Sequence, residues 1–165
     1  SRSVPTRGGG EAVPVVVGAC RMSTRRRVVR ADPQQVWRVL ADGWLYPLFV
    51  VGASRMRDVD DSWPAPGSRL HHSVGAWPAL IDDITEVLEC DPGSRLRLSA
   101  HGWPAGRAEV ELRVTARPEG AEVTIAEDVV SGPGRLVPRL ARDPQISWRN
   151  VETLRRLAYL AERRE

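Results

Sequence analysis

The stretch that most constrains this chain is its C-terminal end, DPQISWRNVETLRRLAYLAERRE, from Asp143 onward. Ile146, Val151, Leu154, Leu157, Ala158 and Ala161 return every three or four positions, and Arg149, Glu152, Arg155, Arg156, Glu162 and Arg163 fall mostly between them. That spacing is the signature of one long helix with a single apolar face. Asp143 suits an N-cap. Pro144 suits the first helical position, where a missing N–H costs nothing. The apolar face needs a partner, and what precedes the helix is suited to be a sheet.

After Gly52, six segments alternate or nearly alternate between apolar and polar residues: ASRMRDVD, SRLHHSVGA, ALIDDITEVLEC, SRLRLSAHG, RAEVELRVTA and AEVTIAEDVVS. Period two marks half-buried strands. Short Pro- and Gly-containing links separate them, and Asp91-Pro92-Gly93-Ser94 fits a type II turn. Links this short join antiparallel neighbours, which predicts a meander. Ahead of it, Ser23–Arg30 reads as an edge strand. Asp32-Pro33-Gln34-Gln35 repeats the N-cap and proline logic with Gln35 placed to close a capping box. WLYPLFVVG then follows as a second short helical piece around Pro47.

Residues 1–22, with Gly and Pro clusters and no period, are expected to form a leader without structure, with Met22 a candidate natural start; the folded domain is expected over residues 23–165. All 24 basic residues are arginine, so a lysine nucleophile or Schiff base is excluded. The formal charge of +3 is uneven, because residues 1–30 hold seven arginines against Glu11 and the remainder is mildly acidic. A basic groove for nucleic acid is therefore not expected. Cys20 and Cys90 show no ligand spacing and read as free thiols of a cytoplasmic protein. The apolar run Val13–Cys20 contains Pro14 and is too short to span a bilayer, and its loose likeness to a lipoprotein cleavage box lacks the order of a signal peptide. The arginine, alanine, glycine and proline bias suggests a GC-rich bacterial genome.

The order strand, two short helices, about six antiparallel strands and a long C-terminal helix resembles the helix-grip fold of the SRPBCC superfamily, which includes START-type lipid-binding domains and polyketide cyclase/dehydrase-like proteins. ADPQQVWRVLAD, AEVTIAEDVVSGPGRL and RNVETLRRLAYLAERR carry the likeness, which runs from about Ser23 to Arg164 and is similar to an actinobacterial branch. The resemblance implies an α+β fold in which a curved antiparallel sheet wraps the long helix and leaves an apolar cavity between them.

Alternation assigns an inner face to Leu70, His72 and Val74; to Leu80, Ile84 and Leu88, with Asp82 and Glu86 in phase; to Leu96, Leu98 and Ala100; to Val110, Leu112 and Val114; and to Val123, Ile125 and Glu127. A carboxylate facing an apolar interior must be paired, protonated or solvated, which singles out Glu127. Asn150 falls in the middle of the helix's buried stripe with Leu154 one turn on, and Trp148 and Arg149 lie beside it. The structural alternative is that Glu127 pairs with Arg149 and Asn150 bonds a nearby backbone group. His71 and His72 point to opposite faces of a strand and cannot share one metal; neither a metal site nor a cofactor is expected.

Trp63-Pro64-Ala65, Trp77-Pro78-Ala79 and Trp103-Pro104-Ala105 repeat one tripeptide at strand ends. Trp77 and Trp103, with Trp44, Tyr46 and Phe49, would suit the rim of a cavity. The candidate ligand-binding set is thus Trp44, Tyr46, Phe49, His72, Trp77, Glu86, Trp103, Glu127, Asn150 and Leu154. Three functions fit the sequence: a module that binds a hydrophobic small molecule such as a lipid, isoprenoid or polyketide; a cyclase or dehydratase using His72 and Glu127 as an acid–base pair; and a protein-interaction module using the outer sheet face.

Overall fold

The computed structural model describes residues 22–76, 78–102 and 106–163. Seven strands form one antiparallel sheet: β1 (Ser23–Val29), β2 (Ala53–Val59), β3 (Arg69–Ala76), β4 (Ala79–Asp91), β5 (Arg95–Gly102), β6 (Gly106–Arg117) and β7 (Gly120–Ser131). Their order is β1-β7-β6-β5-β4-β3-β2. Strands β2 to β7 are a meander, and β1 joins the far side of β7, pairing Ser23 with Glu127 and Val29 with Ala121. The chain crosses from β1 to the opposite edge through α1 (Pro33–Ala41), a 3-10 turn (Gly43–Leu45) and α2 (Tyr46–Phe49). The helix-grip, α+β arrangement expected from the sequence is the one observed.

Local chemistry sets these elements. Asp32 caps α1, its carboxylate accepting from the Gln35 N–H while the Gln35 side chain accepts from the Asp32 N–H, so the capping box closes. At Asp91–Ser94 the Ser94 N–H donates to the Asp91 carbonyl at 3.0 Å, and Gly93 takes a φ of +83°, where a side chain would be strained.

The long helix differs from expectation at its start. Helix α3 runs from Arg139 to Glu162, and Pro144 lies inside it rather than at its first position. Pro144 offers no N–H to the carbonyl one turn earlier, a cost that something must offset. Arg142 supplies an anchor for the added turn: its guanidinium donates to Asp128 on β7 at 2.9 Å and to the Gly134 carbonyl at 3.3 Å. Further along, Leu154, Leu157, Ala158 and Ala161 bury the apolar face of α3 in the core, against β1, α1 and α2. Among the described residues no helix is long and apolar enough to cross a membrane.

A second difference concerns β4. The side chains it turns inward are Asp83, Thr85 and Val87, not Leu80, Ile84 and Leu88. Leu70 pairs with Thr85 and His72 with Asp83, whereas Glu86 pairs with Ser99 on the opposite face. Pairing with β3 sets this phase, and apolar residues at both parities, Leu80, Ile84 and Leu88 against Ile81 and Val87, conceal it in the sequence; a register shift then follows between Val87 and Glu89. One extra residue flips the phase of alternation, so Val87 and Cys90 both reach the inner side and a strict period of two fails.

Candidate functional site

Between the inner face of the sheet and α3 lies a cavity of about 130 Å³. Apolar side chains form most of its wall, among them Phe49, Val74, Leu98, Val110, Leu112 and Ile125. Tyr46, His72, Thr85, Glu127, Arg149, Asn150 and Thr153 supply its polar atoms. A second space, of about 350 Å³, is lined by Val129, Val137, Ala141, Arg142, Gln145 and Ile146 among others, and shares Ala100, His101, Glu127 and Arg149 with the first. We call the smaller space the chamber and the larger one the vestibule. Glu127 and Arg149 stand where they meet.

Glu127 is only 3% exposed, and the Arg149 guanidinium donates to its Oε1. The Arg149 side chain remains 42% exposed. It reaches from water into the apolar interior and balances a charge that would be costly there alone. This is the pairing that the sequence offered as the structural alternative for Glu127.

On the other side of the chamber, Thr85 is fully buried and joins two groups. The His72 Nε2 lies 2.9 Å from the Thr85 Oγ1, and the Tyr46 hydroxyl 3.3 Å from it. The Tyr46 ring also packs against His72 at 5.4 Å and edge-on against Phe49 at 5.8 Å. Burial pushes the Tyr46 hydroxyl above its usual pKa. Burial first, then the positive charge of Arg57 and the neighbouring His71, lowers His72 to about 4, so the ring is neutral at physiological pH. Two buried side-chain nitrogens at the chamber, His72 Nδ1 and Asn150 Nδ2, have no hydrogen-bond partner among the described residues.

Of the sequence candidates, Tyr46, Phe49, His72, Glu127 and Asn150 are brought together around the chamber. Three are not. Trp44 is 56% exposed and does not line the chamber. Leu154 is buried in the core beside the chamber and does not line it. Glu86 faces the outer side of the sheet, where Arg69 Nε donates to it at 3.0 Å, because pairing with β3 turns Asp83, Thr85 and Val87 inward. Trp77 and Trp103 lie outside the described residues. Trp63, the remaining member of the tripeptide set, packs on the core and donates from its indole N–H to the Leu40 carbonyl. Sequence reasoning missed Thr85, which shares its face with Leu70 and His72 and was hidden by the same phase error. It also missed Thr153, whose hydroxyl accepts from the Val51 N–H at 3.4 Å. No three His, Cys, Asp or Glu side chains gather into a metal-binding group among the described residues.

The family model "polyketide cyclase / dehydrase and lipid transport" matches residues 20–162. The chain belongs to this family. Solved structures share its fold. A Rhodobacter sphaeroides protein is 21% identical with a TM-score of 0.67, covering 86% of this chain and 92% of the other. Ara h 8.0201 is 9% identical with a TM-score of 0.65 over 84% of this chain and 95% of that one. The di-domain ARO/CYC StfQ of the steffimycin biosynthetic pathway is 12% identical with a TM-score of 0.67, and the match spans 84% of this chain and 49% of StfQ. At these identities the likeness is one of fold. A search of curated proteins finds no match.

Proposed function

We propose that the chain binds a hydrophobic small molecule bearing a hydroxyl or carbonyl oxygen, with the oxygen in the chamber and the remaining length in the vestibule. The observation that carries this reading is the pair of unpartnered nitrogens, His72 Nδ1 and Asn150 Nδ2, at an otherwise apolar chamber. Buried polar groups are normally paired, and leaving one unmade costs about 1–3 kcal/mol. Asn150 Nδ2 can only donate, and His72 Nδ1 accepts or donates according to its tautomer, so the two together suit a ligand oxygen. A chamber of about 130 Å³ is close in size to an engineered cavity of about 150 Å³ that holds benzene. A lipid, isoprenoid or polyketide would therefore extend past Glu127 and Arg149 into the vestibule. The family description, with its two themes of polyketide cyclisation and lipid transport, supports the same class of ligand.

Binding is favoured over catalysis by the pairing within the site. Glu127 is engaged by Arg149 and His72 by Thr85, so the two are not presented as a coupled acid and base. Native mass spectrometry of freshly purified protein, followed by solvent extraction, tests the reading. A hydrophobic molecule bound in a fixed ratio, or taken up from a lipid and polyketide panel, is the expected result. An empty protein that takes up no member of the panel, or one that converts a member to product, would count against it.

A further inference from the structure

The outward face of α3 is not the charged surface expected of a helix whose other side is in the core. Leu140 is 93% exposed, Trp148 65%, Tyr159 53% and Val151 48%. With Pro144 and Arg155, also exposed, these residues recur at spacings of three and four and so share one side of the helix. From Leu140 to Tyr159 the stripe extends about 28 Å along the axis. Leu136, 87% exposed, lies in the 3-10 turn (Pro133–Leu136) that precedes the helix. The stripe's apolar part runs from Leu140 to Val151, about 16 Å, before Arg155 separates it from Tyr159, and it is more than single scattered residues.

The charge around the stripe is weakly positive. Residues 135–163 contain seven arginines and three acids, and Glu127 and Asp128 on β7 pair with Arg149, Arg142 and Arg139, so the excess rests mainly on Arg135 and Arg163. The acids are already engaged: Glu152 accepts from Arg155 and Arg156, Glu162 from the Arg30 N–H, and Asp143 lies 3.8 Å from Arg142. Arg163 lies over the Tyr159 ring at 4.4 Å, and Arg135 has no ion-pair partner among the described residues. We propose that this face of α3 docks on the surface of an anionic lipid bilayer, with Leu136, Leu140 and Trp148 entering the interface and the arginines meeting lipid phosphates. A helix with aliphatic and aromatic residues on one side and arginines beside them is the form that lies in a membrane interface. Tryptophan and tyrosine favour the headgroup level, and each arginine near an anionic surface adds attraction. A second copy of the chain fits less well, since a two-fold contact through this face would oppose one cationic surface with another.

The placement has a geometric consequence. Gly134, Val137, Ala141 and Arg142 line the vestibule and belong to the same stretch of chain as Leu136 and Leu140. Docking by this face sets the vestibule beside the lipid surface.

Co-sedimentation of the full chain with vesicles tests the proposal, using phosphatidylcholine alone and phosphatidylcholine mixed with phosphatidylglycerol. The protein is expected to pellet with the mixed vesicles and to be released by salt. The double variant Leu140→Asp/Trp148→Asp is expected to lose about tenfold in partitioning, with an unchanged melting temperature because both side chains are exposed. Uptake of a small apolar ligand from solution should be unaffected, which separates failure here from failure of the cavity reading. A protein that stays in the supernatant with mixed vesicles overturns the proposal, as does equal binding by the double variant. So does a dimer in sedimentation velocity that the double variant abolishes, if vesicles are not bound.

Discussion

The two faces of the sheet treat polar groups in opposite ways. On the outer face, Arg95 lies 2.7 Å from Glu89 and 3.0 Å from Glu111, Arg97 reaches Glu89 at 2.6 Å and Glu109 at 2.5 Å, and Arg113 meets Glu111 at 2.5 Å. Strands β4, β5 and β6 each contribute, so charges on neighbouring strands answer one another in a solvated network. On the inner face the polar side chains are few, buried and incompletely partnered. A face whose charges are satisfied by its neighbours needs nothing more to be stable. On the proposed reading, the open nitrogens, His72 Nδ1 on this face and Asn150 Nδ2 on α3 opposite it, are where a ligand oxygen would sit.

The sharpest way to stress this contrast is to remove one charge from each side. Arg149→Ala would leave the buried Glu127 without its partner and is expected to cost about 1–3 kcal/mol, the lower part of the range reflecting water's access to a half-exposed arginine. Thermal or urea denaturation reads this out. A loss no greater than that of an outer-face variant would erase the distinction between the faces.

Next in size is a pH effect confined to the inner face. His72 is lowered to about 4 in the folded protein against about 6.5 in an unfolded chain. Between those values the unfolded state holds a proton that the folded state lacks, so stability falls as the pH drops through this window and the His72 contribution levels off below it. Asp83, raised by burial, acts in the opposite sense, so the comparison must be made with His72→Gln. The variant is expected to lose part of the decline seen in the wild type when urea midpoints are measured at several pH values. Identical profiles would show that His72 is more solvated than its burial implies.

The smallest effect belongs to the outer face. Arg97→Ala is expected to change stability by less than about 1 kcal/mol, since exposed pairs are screened and share their partners. Salt should narrow the difference further. A larger loss would mean that the network acts as a unit.

Most of the fold was legible in the sequence because its signals are local. Alternation located the strands, Asp32 and Gln35 marked the first helix, and Pro92-Gly93 marked a turn. The site was only partly legible. His72, Glu127 and Asn150 were found because each interrupts an apolar pattern. Thr85 was missed and Glu86 misplaced for a single reason: apolar residues occupy both phases of β4, Leu80, Ile84 and Leu88 on one and Ile81 and Val87 on the other, so alternation does not choose the inner phase, which pairing with β3 decides. The start of α3 was misjudged because Asp143-Pro144 has the form of a helix beginning. What carries the helix back to Arg139 is the bond from Arg142 to Asp128, a contact between distant parts of the chain.

The inner face is a ligand site in this view, and Ala100 is the residue through which that is most directly tested, because it lines both the chamber and the vestibule. Equilibrium titration of an apolar fluorescent ligand into the wild type and Ala100→Phe, with circular dichroism to confirm that both are folded, is the decisive measurement. Saturable binding by the wild type and its loss in a folded Ala100→Phe would place the ligand between sheet and helix. Equal binding by the two proteins would put the ligand elsewhere and contradict that reading.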